Sequence, residues 1–365
     1  MRLAVAGGGT GGHIYPAVAA MEALASLGEA TEVLWLGVSG GPEEAVARRY
    51  GWEFGQVRAV QVRGTGVRMP ANAVAGFLSA ADARRALLGF GAEVLLATGG
   101  YVSVPGALGA KLARVPVVLF LPDASPGWAI RLLRPLADGM AASSVEAATA
   151  LGRGAVVTGY PVRRAFFDCR REEARRALGL GERPALLVLG GSSGARRLNQ
   201  AVLRWAGELL KVADILHVAG RRDHEAVAEE AEAAGLTAGE GYHLFAYLDR
   251  LPEAMVASDL VVSRAGAAVL GELTAAGRPA VLVPGSFAGG HQRHNAAYLQ
   301  RNGCAVVVED EEVLERLGPE VLGLLRDEGS LRAMSARAKA LAVPDAAERL
   351  AQLLQQMSRG GRFAH

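Results

Sequence analysis

Strand-length apolar runs separated by helix-period stretches recur throughout this 365-residue sequence, and that alternation constrains its fold more than any other feature. In the first half the runs are Leu3–Ala6, Val33–Gly37, Val94–Ala97, Val117–Leu121, Gly139–Ala142 and Ala155–Thr158, with helices between them such as His13–Leu27 and Val104–Ala113. The runs are continuous Val, Leu and Ala, as expected of strands covered on both faces. The pattern pauses at VVTGYPVRRAFF, where Pro161 and the arginines suit a linker. It restarts with Ala185–Gly190, Ile215–Ala219, His243–Ala246, Leu260–Ser263, Ala280–Pro284 and Ala305–Val308. The expected class is α/β: two Rossmann-like, doubly wound domains, residues 1–161 and 162–344, facing each other across a cleft. A last helix over Asp345–Met357, capped by Asp345, is expected to pack back on the first domain within residues 345–365. Open sheets of this kind take ligands beyond the carboxyl ends of their strands.

Composition narrows the function. Lys and Arg number 39 against 37 Asp and Glu, which argues against a nucleic-acid binder held by bulk charge. The cysteines, Cys169 and Cys304, lie far apart and offer neither a metal site nor a disulfide framework. The start MRLAVAG runs straight into strand-like sequence, so no signal peptide is expected. No apolar run reaches the roughly 18–20 residues of a membrane span.

The glycines carry more information because they cluster. The first strand leads into Gly7-Gly8-Gly9-Thr10-Gly11-Gly12, and a helix follows from His13. Glycine lets backbone N–H groups approach a ligand, and the helix N-terminus adds unpaired donors, a combination suited to phosphate or pyrophosphate. A tight turn with no ligand is the alternative. The spacing fits G-x-G-x-x-G, but the second strand ends WLGVSGG with no acid before Glu43, which disfavours a nicotinamide site, and no Walker Lys follows. Gly99-Gly100 in LLATGGYVSVPG and Gly190, Gly191 and Gly194 in LLVLGGSSGARRLN repeat the design, and VSRAGAAVLGE adds a further helix start. Several such loops point to two phosphorylated ligands or one long one. A helix N-terminus disfavours imidazolium, so His13 reads as a neutral ring able to accept a proton.

Taken in order, GGTGGH (8–13), TGGYVSVPGALGA (98–110), TGYPVR (158–163), GGSSGARRLN (190–199), SRAGAAVLGELTAAGRPAVLVP (263–284) and HQRHNA (291–296) resemble one bacterial glycosyltransferase family over nearly the whole chain. Its members transfer N-acetylglucosamine from UDP-GlcNAc to the lipid-linked muramoyl-pentapeptide acceptor, lipid I, giving lipid II for peptidoglycan. The resemblance implies a GT-B fold, no cofactor, a peripheral position on the cytoplasmic face of the membrane, and proteins of cell-wall synthesis as partners. It implies that Gly8, Gly9, Gly99, Gly100 and Tyr101 meet the acceptor diphosphate, and that Thr10, Gly11 and Gly12 line the donor-sugar side. Arg163 and Ser192 would approach the donor phosphates and Leu248 the uracil. Ala267, Ala268, Val269, Leu270 and Gly271 would present N–H groups to the diphosphate, Glu272 would bond the ribose, and Gln292 would read the GlcNAc hydroxyls. Charge building on UDP would be met by fixed amides and by Arg163 or Arg264; no D-x-D pair is present, so metal-free chemistry is expected. His13 is the expected general base. One departure stands out: where many members carry His-Glu-Gln-Asn, this chain has Phe120-Leu121-Pro122-Asp123, which leaves Asp123 at the family's Asn, counted here with the donor contacts.

An acceptor with a lipid tail calls for a surface suited to an anionic bilayer. Val74, Phe77, Leu78, Leu87, Leu88 and Phe90 with Arg84 and Arg85 form one candidate; Trp128, Ile130, Leu132 and Leu133 with Arg131 and Arg134 form another. The acidic EDEEVLE (309–315) reads as a solvated helix start. The rival readings are another UDP-sugar enzyme of the same fold, such as a UDP-GlcNAc 2-epimerase, and a non-catalytic nucleotide-sugar binding protein.

Overall fold

In the computed structural model, which describes residues 1–58, 69–191, 195–285 and 290–360, every apolar run named above becomes a strand. The first sheet is parallel and seven-stranded. It comprises β1 (Arg2–Gly7), β2 (Glu32–Gly37), β3 (Glu53–Gln56), β4 (Val94–Gly99), β5 (Val117–Leu121), β6 (Gly139–Ala142) and β7 (Ala155–Val157), in the order β3-β2-β1-β4-β5-β6-β7. Strand β3 has no apolar run because it lies at the sheet edge, where its residues are half-buried or exposed. The helices of this unit are α1 (Gly11–Ser26), α2 (Pro42–Tyr50), α3 (Met69–Phe90), α4 (Ser103–Ala113), α5 (Trp128–Leu133) and α6 (Val145–Leu151).

The second unit begins at Arg164 and ends at Pro344. Its parallel sheet has six strands: β8 (Ala185–Leu189), β9 (Asp214–Val218), β10 (Tyr242–Phe245), β11 (Leu260–Ser263), β12 (Ala280–Leu282) and β13 (Ala305–Val307), in the order β10-β9-β8-β11-β12-β13. Its helices are α7 (Ala165–Asp168), α8 (Arg171–Ala177), α9 (Arg196–Leu209), α10 (His224–Ala233), α11 (Leu251–Ala257), α12 (Val269–Ala276), α13 (His291–Arg301), α14 (Val313–Arg326) and α15 (Glu328–Leu341). Each unit has its own core of buried Leu, Val and Ala.

Both sheets reverse their winding at an internal strand. β1 lies between β2 and β4, and β8 lies between β9 and β11. The connections leaving such a strand and its neighbour depart to opposite faces, which opens a crevice at their carboxyl ends. Those ends carry the glycine loops: Gly7–Gly12 after β1, Gly99-Gly100 after β4, Gly190-Gly191 after β8 and Arg264–Ala268 after β11.

From Asp345 the chain returns to the first unit as α16 (Ala346–Ser358), which packs on α1. Leu350, Ala351, Leu353, Leu354 and Met357 form its buried stripe. Asp345 makes no cap bond here; its carboxylate pairs with Arg349 at 2.8 Å. Glu29, after α1, accepts from Gln355 at 3.0 Å and pairs with the N-terminal ammonium and Arg359, and the Gln355 hydrogen bond together with those charges holds its carboxyl below the usual range. The Leu354→Ala variant is expected to lose about 2–5 kcal/mol of stability by leaving a cavity under α16. The urea midpoint of the first unfolding step reads this; an unchanged midpoint contradicts the packing.

Candidate functional site

The first crevice is built by close contacts between the ends of β1 and β4. A Cβ on Gly7 would stand 1.9 Å from Thr98 Oγ1, so only glycine lets the two strand ends meet. Thr98 then ties the α1 entrance to β4: its Oγ1 donates to the His13 carbonyl at 2.6 Å, and His13 Nδ1 bonds the Thr98 carbonyl at 2.8 Å. A carbonyl can only accept, so Nδ1 carries the proton and the neutral ring keeps its lone pair on Nε2. Gly99, at φ +105°, lies against the ring; a Cβ there would be 2.8 Å from His13 Cε1. Gly100 packs on the Gly8 carbonyl and Tyr101 on Gly9. The structure therefore brings together Gly8, Gly9, Thr10, Gly11, Gly12, His13, Gly99, Gly100 and Tyr101. Thr10 is extended, with no side-chain cap bond, and among the described residues none accepts from the amides of Thr10, Gly11 or Gly12.

Three further residues, none of them given a part in it above, shape this crevice. Pro16 lies inside α1 and cannot donate to the Gly12 carbonyl four residues back. Tyr160 fills that gap, its hydroxyl donating to the Gly12 oxygen at 3.1 Å. The Tyr160 ring meets Phe120 edge-on at 6.3 Å, and Phe120 and Leu121 are fully buried in β5, so both are core positions here. Arg163 lies over the Tyr15 ring at 5.1 Å, which puts this expected phosphate contact beside the first turns of α1. Asp123 is half-buried in the turn after β5. The third residue is Glu43, in the first turn of α2, whose buried carboxylate accepts from the Gly9 amide at 3.2 Å. Burial, and secondarily the charge of Glu43, push the Tyr101 phenol above its ordinary range.

In the second unit the expected residues again gather at strand ends. Leu248 lies in the turn after β10, and Arg264, Ala267 and Ala268 follow β11. Val269, Leu270, Gly271 and the buried Glu272 form the start of α12. Gln292, in the first turn of α13, accepts from the Gly285 amide at 2.8 Å, and Asn295 donates to the Ala265 carbonyl at 3.0 Å, fixing the loop after β11. Ser192 lies outside the described residues.

Two expectations need correcting in detail. The amides of Val269, Leu270 and Gly271 bond back to Gly266, Ala267 and Ala268, so of the five expected donors those of Ala267 and Ala268 are left, which meet no acceptor among the described residues. Arg264 donates to Asp310 at 2.5 Å and to the Val283 carbonyl at 3.2 Å, so its charge is already balanced. Asp310 is correspondingly buried, and the acidic run 309–315 is not simply a solvated helix start.

Beneath the loops after β8 and β9 runs a buried polar chain. Tyr242 Oη meets His217 Nδ1 at 2.7 Å, His217 Nε2 meets Asn199 Oδ1 at 3.0 Å, and Asn199 donates to the Ala219 carbonyl at 3.0 Å. An amide oxygen only accepts, so His217 donates through Nε2 and accepts from Tyr242. Burial lowers its titration to about 3. The unfolded ring takes a proton near 6.5 and the folded ring near 3, so this histidine's stabilising contribution is complete above pH 6.5 and is lost as pH falls toward 3. Urea titrations across that window should show a slope of about 1.4 kcal/mol per pH unit that His217→Gln removes; an identical slope in the variant contradicts it.

Family models match both units. The glycosyltransferase family 28 N-terminal domain matches residues 3–142, and the family 28 C-terminal domain matches residues 185–350. Similar proteins include the UDP-N-acetylglucosamine–N-acetylmuramyl-(pentapeptide) pyrophosphoryl-undecaprenol N-acetylglucosamine transferases of Moorella thermoacetica and Roseiflexus sp. The first is 38% identical, spanning 99% of this chain and 100% of the relative; the second is 37% identical, spanning 98% and 95%. Among solved structures, Acinetobacter baumannii MurG superposes with a TM-score of 0.74 at 25% identity over 97% of this chain and 99% of its own. A UDP-GlcNAc 2-epimerase from Neisseria meningitidis, bound to UDP-GlcNAc, reaches a TM-score of 0.66 at 13% identity over 98% of this chain and 100% of its own, which is a likeness of fold alone.

Proposed function

The chain belongs to glycosyltransferase family 28, and from that premise we propose that it transfers GlcNAc from UDP-GlcNAc to the 4-hydroxyl of MurNAc in undecaprenyl-diphospho-MurNAc-pentapeptide, with inversion. It is an N-acetylglucosaminyltransferase. The observation that carries the reading to residues is the exchange between Thr98 and His13, which leaves the Nε2 lone pair beside a helix entrance where the amides of Thr10, Gly11 and Gly12 have no acceptor among the described residues. Nε2 takes the proton of the attacking hydroxyl. The new bond joins that oxygen to the anomeric carbon, the bond from that carbon to the diphosphate oxygen breaks, and UDP leaves with the electron pair. General-base help of this kind contributes about 10²–10⁴-fold.

The amides of Ala267 and Ala268, with Arg163 and Ser192, are assigned to the charge on departing UDP; the pairing of Arg264 with Asp310 supports leaving it out. Glu272 is assigned to the ribose, Leu248 to the uracil and Gln292 to the GlcNAc hydroxyls. Gln292 Oε1 already accepts from Gly285, which leaves its amide N–H groups as the donors toward the sugar. Gly8, Gly99, Gly100 and Tyr101 are assigned to the acceptor diphosphate, and Gly9, whose amide is bonded to Glu43, to the shape of the loop beside them.

No helix among the described residues is long and apolar enough to cross a membrane. A peripheral position on the cytoplasmic face is supported by exposed Leu78 and Leu88 on α3 and Leu108 and Leu112 on α4, beside Arg84 and Arg85. Leu87 and Phe90 do not belong to that surface, because they face the core; the side chains of Val74 and Phe77 lie outside the described residues. On α5, Trp128 and Leu132 are exposed near Arg131 and Arg134, whereas Ile130 and Leu133 are buried.

The test is transfer of labelled GlcNAc with and without the lipid-linked acceptor. Acceptor-dependent product supports the reading; donor conversion that ignores the acceptor favours an epimerase, and binding without turnover a carrier. His13→Ala should lower turnover by about 10²–10⁴-fold with UDP-GlcNAc affinity retained, and near-normal turnover removes His13 from the role. Reversing Arg84 and Arg85 to Glu should weaken sedimentation with anionic vesicles; equal sedimentation discards that patch.

A further inference from the structure

Glu43 is fully buried, yet no lysine, arginine or histidine among the described residues pairs with it. Its partners are two backbone amides, Gly9 through Oε2 and Val38 through Oε1, each at 3.2 Å. It stands in the first turn of α2, where the helix end favours a negative charge. Three glycines make room for it: a Cβ on Gly8 would be 2.6 Å from its Cδ, one on Gly37 2.5 Å from its Cγ, and one on Gly41 2.8 Å from its Cδ. Gly8 belongs to the first loop, while Gly37 and Gly41 flank the end of β2. Gly9, bonded to this carboxylate, is left-handed at φ +83° and packs on Tyr101.

The loop thus holds an internal anion on its inner side, and that anion consumes one of its amides. A buried carboxylate bonded to two amides is a rigid support, because losing either bond leaves a buried polar group unsatisfied. We propose that Glu43 is a positioning residue for the lipid-linked acceptor: by turning Gly9 inward and backing Gly8, it sets the part of the loop that receives the acceptor diphosphate. This rests on the function proposed above, and it assigns Glu43 no contact with substrate.

The test uses the full chain carrying Glu43→Gln, which keeps size but sets an NH2 group against one of the two amides. The KM for the lipid-linked acceptor should rise about tenfold or more, with the KM for UDP-GlcNAc unchanged within twofold. Amide exchange over residues 7–12, followed by mass spectrometry, should quicken. Gly41→Ala gives a second route, since its Cβ would press on the carboxylate at 2.8 Å, and on the Val38 carbonyl at 2.9 Å, without altering the loop's own sequence; Gly41 has φ −75°, which alanine adopts freely. It should reproduce the acceptor effect. A normal acceptor KM in both variants, or an equal rise in both KM values, overturns the proposal. If the wild-type chain transfers nothing to the lipid acceptor, the function reading fails by itself. Exchange over residues 7–12 still decides the role of Glu43 in the loop: wild-type rates in both variants overturn it.

Discussion

Thr98 and His13 exchange two hydrogen bonds, and the first crevice depends on that exchange. One threonine hydroxyl and one backbone carbonyl hold both the backbone and the ring of His13. The bond to the ring selects which nitrogen of the neutral imidazole carries the proton, and so which one the proposed base role falls to. The arrangement needs the ends of β1 and β4 to nearly touch, and Gly7 permits this because the space for its missing side chain is filled by Thr98. Register, tautomer and the proposed reactive atom are thereby tied to one contact between neighbouring strands. The proline in α1 fits the same picture: it frees a carbonyl one residue before His13, and Tyr160 from the far edge of the same unit satisfies it.

The second unit meets a similar demand by a different device. Its loops after β8 and β9 are held from below by Asn199, which His217 and Tyr242 orient from inside the core. Each member of that chain has its donors and acceptors matched, and such a network is stable in a low-dielectric interior only while it stays complete. The histidine there is structural because both nitrogens are engaged. In His13, by contrast, only Nδ1 is bonded among the described residues, and the proposed base role falls to Nε2.

Much of this architecture was legible in the residue order. Buried parallel strands must be continuous apolar runs, so the strands stood out, apart from β3 at an edge where burial makes no such demand. Glycine clusters after strands marked both switch points, because close backbone approach has few chemical solutions. What escaped was pairing between distant charges. Glu43 entered only as an acid too late for a nicotinamide fingerprint, and nothing local says that its carboxylate reaches Gly9. Arg264 sits inside a recognisable motif, but its partner Asp310 lies 46 residues later in an acidic stretch that looked solvated. Leu87 and Phe90 looked interchangeable with Leu88 until α3 was seen against its sheet; only Leu88 points away. Tyr160 was quoted within a motif without a role, because the carbonyl it serves is orphaned by a proline far upstream.

The return of α16 to α1 also sets an order of assembly. The second unit is one uninterrupted stretch of chain, so on the ribosome it can close as soon as it emerges. The first unit is discontinuous. The face of α1 that α16 covers stays open to solvent while all of the second unit is translated, and it is sealed only when Leu350 to Met357 have been made. A nascent chain that has emerged only as far as Pro344 therefore has all of the second unit available to close and a first unit still unsealed, with the helix that bears His13 lacking its cover.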